Sequence, residues 1–153
     1  MARRRILMTM PASAQATFDA FHDHKARLAW DTLLDGADIE GGQRFPEIGA
    51  ISRNPGRGLA RFVVLRTRFV NYVPGKMAAA VIVEPAGPFE WWAASLHHRD
   101  TGANESELAY TFDLRLRPRW IGRVMDRFAA GLFERATRRR FRALAEYLRT
   151  TGA

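Results

Sequence analysis

Hydrophobic and polar residues alternate along the middle of the chain, and this period of two predicts β-strands. The alternation is cleanest over residues 106–117, where Leu108, Tyr110 and Phe112 fall on the same side. A second long strand is predicted over residues 61–72, with Arg66 and Arg68 facing away from its apolar side. Shorter strands are predicted over residues 4–10, 37–40, 48–53, 77–83 and 89–99.

Helical spacing appears in three places. Ser13 can cap a first helix that ends near His22, and a second short helix is predicted over residues 25–34. Pro118 ends the last strand and suits the first turn of a helix of about 30 residues. This helix has a first apolar stripe (Ile121, Val124, Met125, Phe128 and Leu132) and a second (Phe141, Leu144, Ala145 and Leu148). The two stripes differ in phase, which predicts a bend near Gly131.

This order of elements predicts a single α+β domain over residues 1–153. An antiparallel sheet must bury one of its faces, and only the long C-terminal helix is available to cover it. We therefore expect a curved sheet of six to seven strands wrapped around that helix, with two short helices after the first strand. The space between sheet and helix is where a ligand would bind. The residues predicted to line it are Val63, Leu65, Phe69, Val81, Trp92, Tyr110, Phe112, Met125, Phe128 and Leu132.

The composition is that of an ordinary globular domain, with 47% hydrophobic and 26% charged residues. The longest apolar run covers residues 77–83, which is far short of a membrane-spanning helix. The apolar part of the N-terminus, residues 6–10, is too short for a signal peptide, so we expect a cytoplasmic protein. The chain contains no cysteine, which excludes disulfides, a thiolate nucleophile and metal sites built from cysteine.

The net charge of +8 is concentrated in residues 118–153, which hold nine arginines and three acidic residues. Arg138, Arg139, Arg140 and Arg142 lie close together on the long helix. One interpretation is a solvated helix face whose side-chain stems cover apolar surface. The alternative is contact with RNA, a ribosome or an anionic membrane.

Catalytic and metal-binding motifs are sparse. His97 and His98 are adjacent on a strand, so their side chains point to opposite faces, and His22 and His24 fall on different sides of a helix end. Neither pair can bind one metal ion together, so no metal site is predicted. Surface or capping roles are expected for these histidines. Tyr110 is the best inward-facing polar group for acid–base chemistry, and the alternative is a core aromatic residue. Thr67, Asn71 and His98 are lesser candidates. No cofactor is implied.

Three stretches resemble the SRPBCC superfamily (also called START-like or helix-grip proteins), and most closely its polyketide cyclase/dehydrase branch. They are Met10-Pro11-Ala12-Ser13 leading into Thr17-Phe18, Trp30-Asp31, and the strand at residues 108–114 followed by a helix ending at residues 144–148. The resemblance covers nearly the whole chain. Where the family often has Gly-Thr at the start of the last strand, this chain has Glu105-Ser106.

The resemblance implies a helix-grip fold and a cavity that binds an apolar molecule such as a polyketide, a lipid or an isoprenoid. The family has no shared set of catalytic residues that could be transferred to this chain. Three hypotheses follow: a small-molecule binding module, a cyclase or dehydratase that uses the same cavity, and a basic protein associated with RNA or ribosomes. The first is the primary hypothesis.

Overall fold

The computed structural model of the protein describes residues 1–152, which form seven β-strands and two α-helices. In chain order these are β1 (Ala2–Met10), α1 (Ala14–His22), β2 (Asp38–Ile39), β3 (Ile51–Pro55), β4 (Val64–Val73), β5 (Met77–Ile82), β6 (Phe89–Gly102), β7 (Glu105–Leu116) and α2 (Gly122–Thr151). Single 3-10 turns lie at Arg27–Ala29, Gly58–Ala60 and Arg119–Ile121.

The seven strands form one antiparallel sheet in the order β1-β7-β6-β5-β4-β3-β2. Strands β3 to β7 are joined in sequence, and β1 pairs with β7 along its full length. At the β4–β5 hairpin the chain reverses through Gly75, whose φ of 74° favours glycine. The predicted fold class is confirmed: a curved antiparallel sheet grips one long C-terminal helix.

The first helix begins where the sequence predicts, because the Ser13 hydroxyl accepts a hydrogen bond from the Ala16 N–H at 3.1 Å. The second predicted helix, over residues 25–34, is reduced to the 3-10 turn Arg27–Ala29. Side chains compete with helical hydrogen bonds there: Asp23 accepts from the Lys25 N–H at 3.1 Å, and Asp31 from the Leu33 N–H at 3.0 Å.

The main core lies between α2 and the strands β1 and β7. Its fully buried members alternate along the strands and recur at helical spacing, as in Ile6, Met10, Leu108, Phe112, Leu114, Phe141 and Leu144. The second apolar stripe predicted for the long helix therefore faces the core. The long helix leans toward the β1–β7 side of the sheet and leaves part of the concave face of β4 and β5 uncovered. Phe18 of α1 covers the rest, where it packs on Phe69 and Ala78.

The first apolar stripe of the long helix does not face the core, so this part of the prediction is wrong. Val124, Phe128 and Leu132 are exposed, and Phe128 keeps 60% of its surface in solvent. The first half of the helix is rotated about its axis so that Asp126, and not the apolar stripe, faces the protein. The Asp126 carboxylate is buried there and accepts a hydrogen bond from the Leu116 N–H at 2.8 Å. The buried side of this half of the helix holds Asp126, Ala130 and Thr137.

Candidate functional site

A cavity of about 500 Å³ lies between the concave face of the sheet and α2. Strands β3 to β7 and residues Phe133 and Arg140 of the helix form its walls. Leu59, which is fully exposed on its outer side, lies at its rim, whereas Phe21 and Tyr110 at its inner end are buried. This size is typical of sites for small organic molecules.

The cavity exists because the strands supply small side chains where the helix is absent. Ala78 and Ala80 of β5 and Ala94 of β6 point into it, and Ala80 pairs directly with Ala94 across the two strands. An Ala side chain is too short to reach the opposite wall, so the volume stays open. On the strand neighbouring β5, Leu65, Thr67 and Phe69 of β4 line the same space.

Five of the ten predicted cavity residues lie on the wall: Val63, Leu65, Phe69, Trp92 and Tyr110. Phe112 is fully buried, but it packs against Phe133 in the core with ring centroids 4.8 Å apart and does not reach the cavity. Val81 of β5 is also absent from the wall, which β5 supplies with Ala78, Ala79 and Ala80.

Met125, Phe128 and Leu132 are also absent from the wall, because the start of α2 is rotated as described above. The helix instead contributes Phe133 and Arg140.

The adjacent tryptophans, Trp91 and Trp92, divide between the two faces of the sheet. Trp92 lines the cavity, and Trp91 is partly exposed on the other face. The phase of this strand is ambiguous in the sequence because a bulge lies between Phe89 and Trp91. The extra residue lets both Phe89 and Trp92 point inward, which strict alternation forbids.

A buried ionic cluster closes the inner end of the cavity. Asp31 has no solvent exposure, and its Oδ2 accepts hydrogen bonds from Nε of Arg27 at 2.9 Å and from Nε of Arg140 at 3.0 Å. The guanidinium carbons of both arginines lie over the Phe21 ring, at 4.5 Å and 4.9 Å from its centre. Both arginines line the cavity, and Asp31 lies behind them.

The sequence places Arg140 with Arg138, Arg139 and Arg142 on a solvated helix face or a contact surface, and for Arg140 this interpretation is wrong. Arg140 points into the protein with 5% exposure. Arg138 pairs with Glu134 at 2.9 Å, and Arg139 and Arg142 are exposed. The signal that could have revealed Arg140 is its spacing, since it lies three residues after Thr137 and four before Leu144, both on the buried side.

Three of the four histidines are buried, contrary to the expected surface role, although His22 and His24 each meet a backbone carbonyl at the end of α1. His22 contacts the cavity, and its Nδ1 lies 2.9 Å from the Phe18 carbonyl oxygen. His24 reaches Ser52, with Nε2 2.8 Å from the hydroxyl. His98 packs edge-on against Phe18, and neither of its ring nitrogens has a hydrogen-bond partner. Among residues 1–152 no three acidic or histidine side chains converge as a metal site would require.

Burial sets the charge state of these groups. Loss of solvent lowers the pKa of His24 and of His98 to about 4 and the pKa of His22 well below its usual value. These three buried histidines are therefore neutral at pH 7. Burial also raises the pKa of the Tyr110 hydroxyl, so this group stays protonated at pH 7.

Solved structures with the same fold include proteins of several kinds. An aromatase/cyclase from a Streptomyces species superimposes with a TM-score of 0.80 at 12% identity, covering 99% of this chain and 96% of that one. A START superfamily protein from Mycobacterium smegmatis gives 0.76 at 14% identity, covering 95% and 98%. A ginseng major latex-like protein gives 0.72 at 10% identity, covering 95% and 96%. At these identities the likeness shows the fold alone.

No curated protein matches the sequence. No helix among the described residues is long and apolar enough to cross a membrane. A family model described as "Polyketide cyclase / dehydrase and lipid transport" matches residues 3–149, which is nearly the entire chain. The resemblance found in the strand and helix motifs is thereby confirmed. The chain belongs to the polyketide cyclase/dehydrase and lipid transport family, within the START-like proteins.

Proposed function

We propose that this protein binds a small, largely apolar molecule in the cavity between its sheet and α2. The observation that carries the proposal is the cavity itself, about 500 Å³ in volume and walled mainly by Ala, Leu, Val and aromatic side chains. A monomeric domain gains no stability from such a void, since unfilled core volume costs free energy. A ligand that fills it removes that cost.

The affinity would come from removing ligand surface from water. Each 100 Å² of apolar ligand surface that is buried contributes about 2.5 kcal/mol to the free energy of binding, before the entropy cost of binding is subtracted. The few polar groups on the wall then set the orientation of the ligand. Trp92 is one of them, because its Nε1–H is buried and has no partner among the described residues.

The direct test uses the neutral fluorescent probe N-phenyl-1-naphthylamine, whose emission rises in apolar sites. We expect saturable binding to the purified protein, and its loss in Ala94→Trp, which places a large side chain in the cavity. Ala93→Trp is the matched control, because Ala93 is on the same strand but outside the cavity wall. Probe binding that is absent, or that is equal in the two variants, would refute the proposal.

A second test identifies the natural ligand. Native mass spectrometry of freshly purified protein should show a mass above that of the chain, and denaturing extraction should release the bound compound. The extra mass should be missing from Ala94→Trp and present in Ala93→Trp. An extra mass that is equal in both variants would place the bound compound outside the cavity.

A second candidate function, a cyclase or dehydratase acting in the same cavity, is favoured by Tyr110. Its hydroxyl is protonated, lies on the wall and is near enough to Arg27 and Asp31 to interact with them electrostatically. Such a group can orient a carbonyl oxygen and donate a proton to it. Tyr110→Phe should then lower turnover of a poly-β-ketone substrate while leaving probe binding unchanged. Full turnover in this variant would exclude Tyr110 from the chemistry.

A further inference from the structure

We propose that the ligand of this cavity carries an anionic group, a carboxylate in the simplest case, and that Arg140 binds this group at the inner end. The inference rests on the proposed function, because it names the chemical class of the molecule that fills the same cavity. An apolar tail would extend from the anionic group toward the rim at Leu59.

The charge at the inner end of the cavity is not balanced. Two guanidinium groups, those of Arg27 and Arg140, face one carboxylate, that of Asp31, and all three residues are buried. The wall of the cavity contains no Asp or Glu side chain, and its histidine, His22, is neutral at pH 7. One positive charge is therefore left over at the closed end of an apolar cavity, where a buried charge without a counterion is costly.

The hydrogen bonds show the same imbalance. Both oxygens of Asp31 accept hydrogen bonds, Oδ2 from the Nε atoms of Arg27 and Arg140 and Oδ1 from the Leu33 N–H. Arg140 is less completely paired, because its Nη2 lies 2.8 Å from the same Oδ2 but has no hydrogen-bond partner among the described residues. A ligand carboxylate would supply the missing acceptor and the missing negative charge together.

The guanidinium of Arg140 is held in place before any ligand arrives. Asp31 accepts a hydrogen bond from its Nε, and its guanidinium carbon lies over the Phe21 ring, 4.9 Å from the ring centre. A donor that is already immobilised loses little entropy when it binds, which favours affinity and orientation. The planar fork of an arginine also suits a carboxylate better than a neutral hydroxyl.

The competing interpretation is that the three residues only join α2 to the segment after α1. The two roles differ in what the loss of Arg140 does. Arg140→Met leaves Arg27 and Asp31 as a balanced buried pair, so a purely structural Arg140 would alter stability and leave the choice of ligand unchanged. A ligand-binding Arg140 would alter the preference for anionic over neutral ligands.

The experiment compares two competitors with the same tail, decanoate and decan-1-ol, as displacers of N-phenyl-1-naphthylamine. In the unmodified protein we expect decanoate to compete well at pH 7.5. In Arg140→Met its dissociation constant should rise at least tenfold, and that of decan-1-ol should change less than twofold. Arg139→Met is the matched control, because Arg139 is the exposed neighbour on the same helix, and it should behave as the unmodified protein does.

Two further variants keep the test decisive if Arg140→Met does not fold. Arg27→Met also leaves one balanced pair and should lower the preference for decanoate. Arg140→Lys keeps the charge but not the fork, and should lower the preference severalfold. Probe binding with an unchanged preference in all folded variants would overturn the anionic ligand and leave the proposed function intact. Absence of probe binding in the unmodified protein would overturn both.

Discussion

Mild acid should destabilise this protein, because His22, His24 and His98 are buried in neutral form. Their folded pKa values lie far below the ordinary value near 6.5, with about 4 for His24 and for His98. The unfolded chain therefore binds more protons than the folded chain between about pH 4 and pH 7. Lowering the pH through this range favours the unfolded state.

The size of the effect follows from the difference between the folded and unfolded pKa values. Between pH 7.5 and pH 5.5 each histidine lowers the free energy of unfolding by between about 1 and 1.5 kcal/mol, or about 4 kcal/mol for all three. The total free energy of unfolding of a domain of this size is about 5–15 kcal/mol, so the loss is large. Asp23 does not act in this window, because hydrogen bonds from Arg44 hold the pKa of its carboxyl below the ordinary value, and its contribution is lost only in stronger acid.

The assay is urea unfolding followed by circular dichroism at pH 7.5, 6.5 and 5.5, without ligand. His98→Leu should reduce the pH dependence by about one third, because it removes one buried histidine whose ring nitrogens have no partner. His97→Leu is the control, since His97 is the next residue on the same strand and its side chain is exposed. A stability that is constant from pH 7.5 to 5.5, or an equal response to the two substitutions, would refute the assignment of buried neutral histidines.

Three further predictions use the same unfolding assay at pH 7.5. Asp31→Asn should lower the free energy of unfolding by about 3–5 kcal/mol, because it leaves two buried arginines without a counterion; a loss under about 1 kcal/mol would contradict the buried cluster. Phe141→Ala should cost about 3–5 kcal/mol, whereas Phe128→Ala should change stability by no more than about 0.5 kcal/mol, and similar costs would show that the start of α2 is not rotated as described. Thr137→Val should stabilise the protein by about 1–2 kcal/mol, since the Thr137 hydroxyl is buried without a hydrogen-bond partner, and a destabilised variant would indicate a partner for that hydroxyl.

The fold could be predicted from the sequence because its determinants are local and periodic. The alternation in β7, the Ser13 cap and the length of the last helix each limit the choice of structure over many residues. The cavity wall on β4 follows the same alternation. To predict these features it is enough to know which residues are apolar and how they are spaced.

The helical side of the site could not be predicted in this way, because polar residues decide it. Asp126 turns the start of α2 through its hydrogen bond to Leu116, and Arg140 turns inward to reach Asp31, more than 100 residues earlier in the chain. Hydrophobic spacing assigns Asp126 to the solvent. For Arg140 the spacing indicates the buried side but does not identify the carboxylate that it pairs with. Their true positions depend on partners that are distant in sequence and that only the folded chain brings together.

The open volume between β5, β6 and α2 also has a consequence for the cell. On the proposed function, the ligand completes the interior of the protein as a missing side chain would. A ligand at 100 times its dissociation constant adds about 2.7 kcal/mol to the stability of the folded state. Because unfolded chains are degraded, the abundance of this protein would rise when its ligand is plentiful and fall when the ligand is scarce.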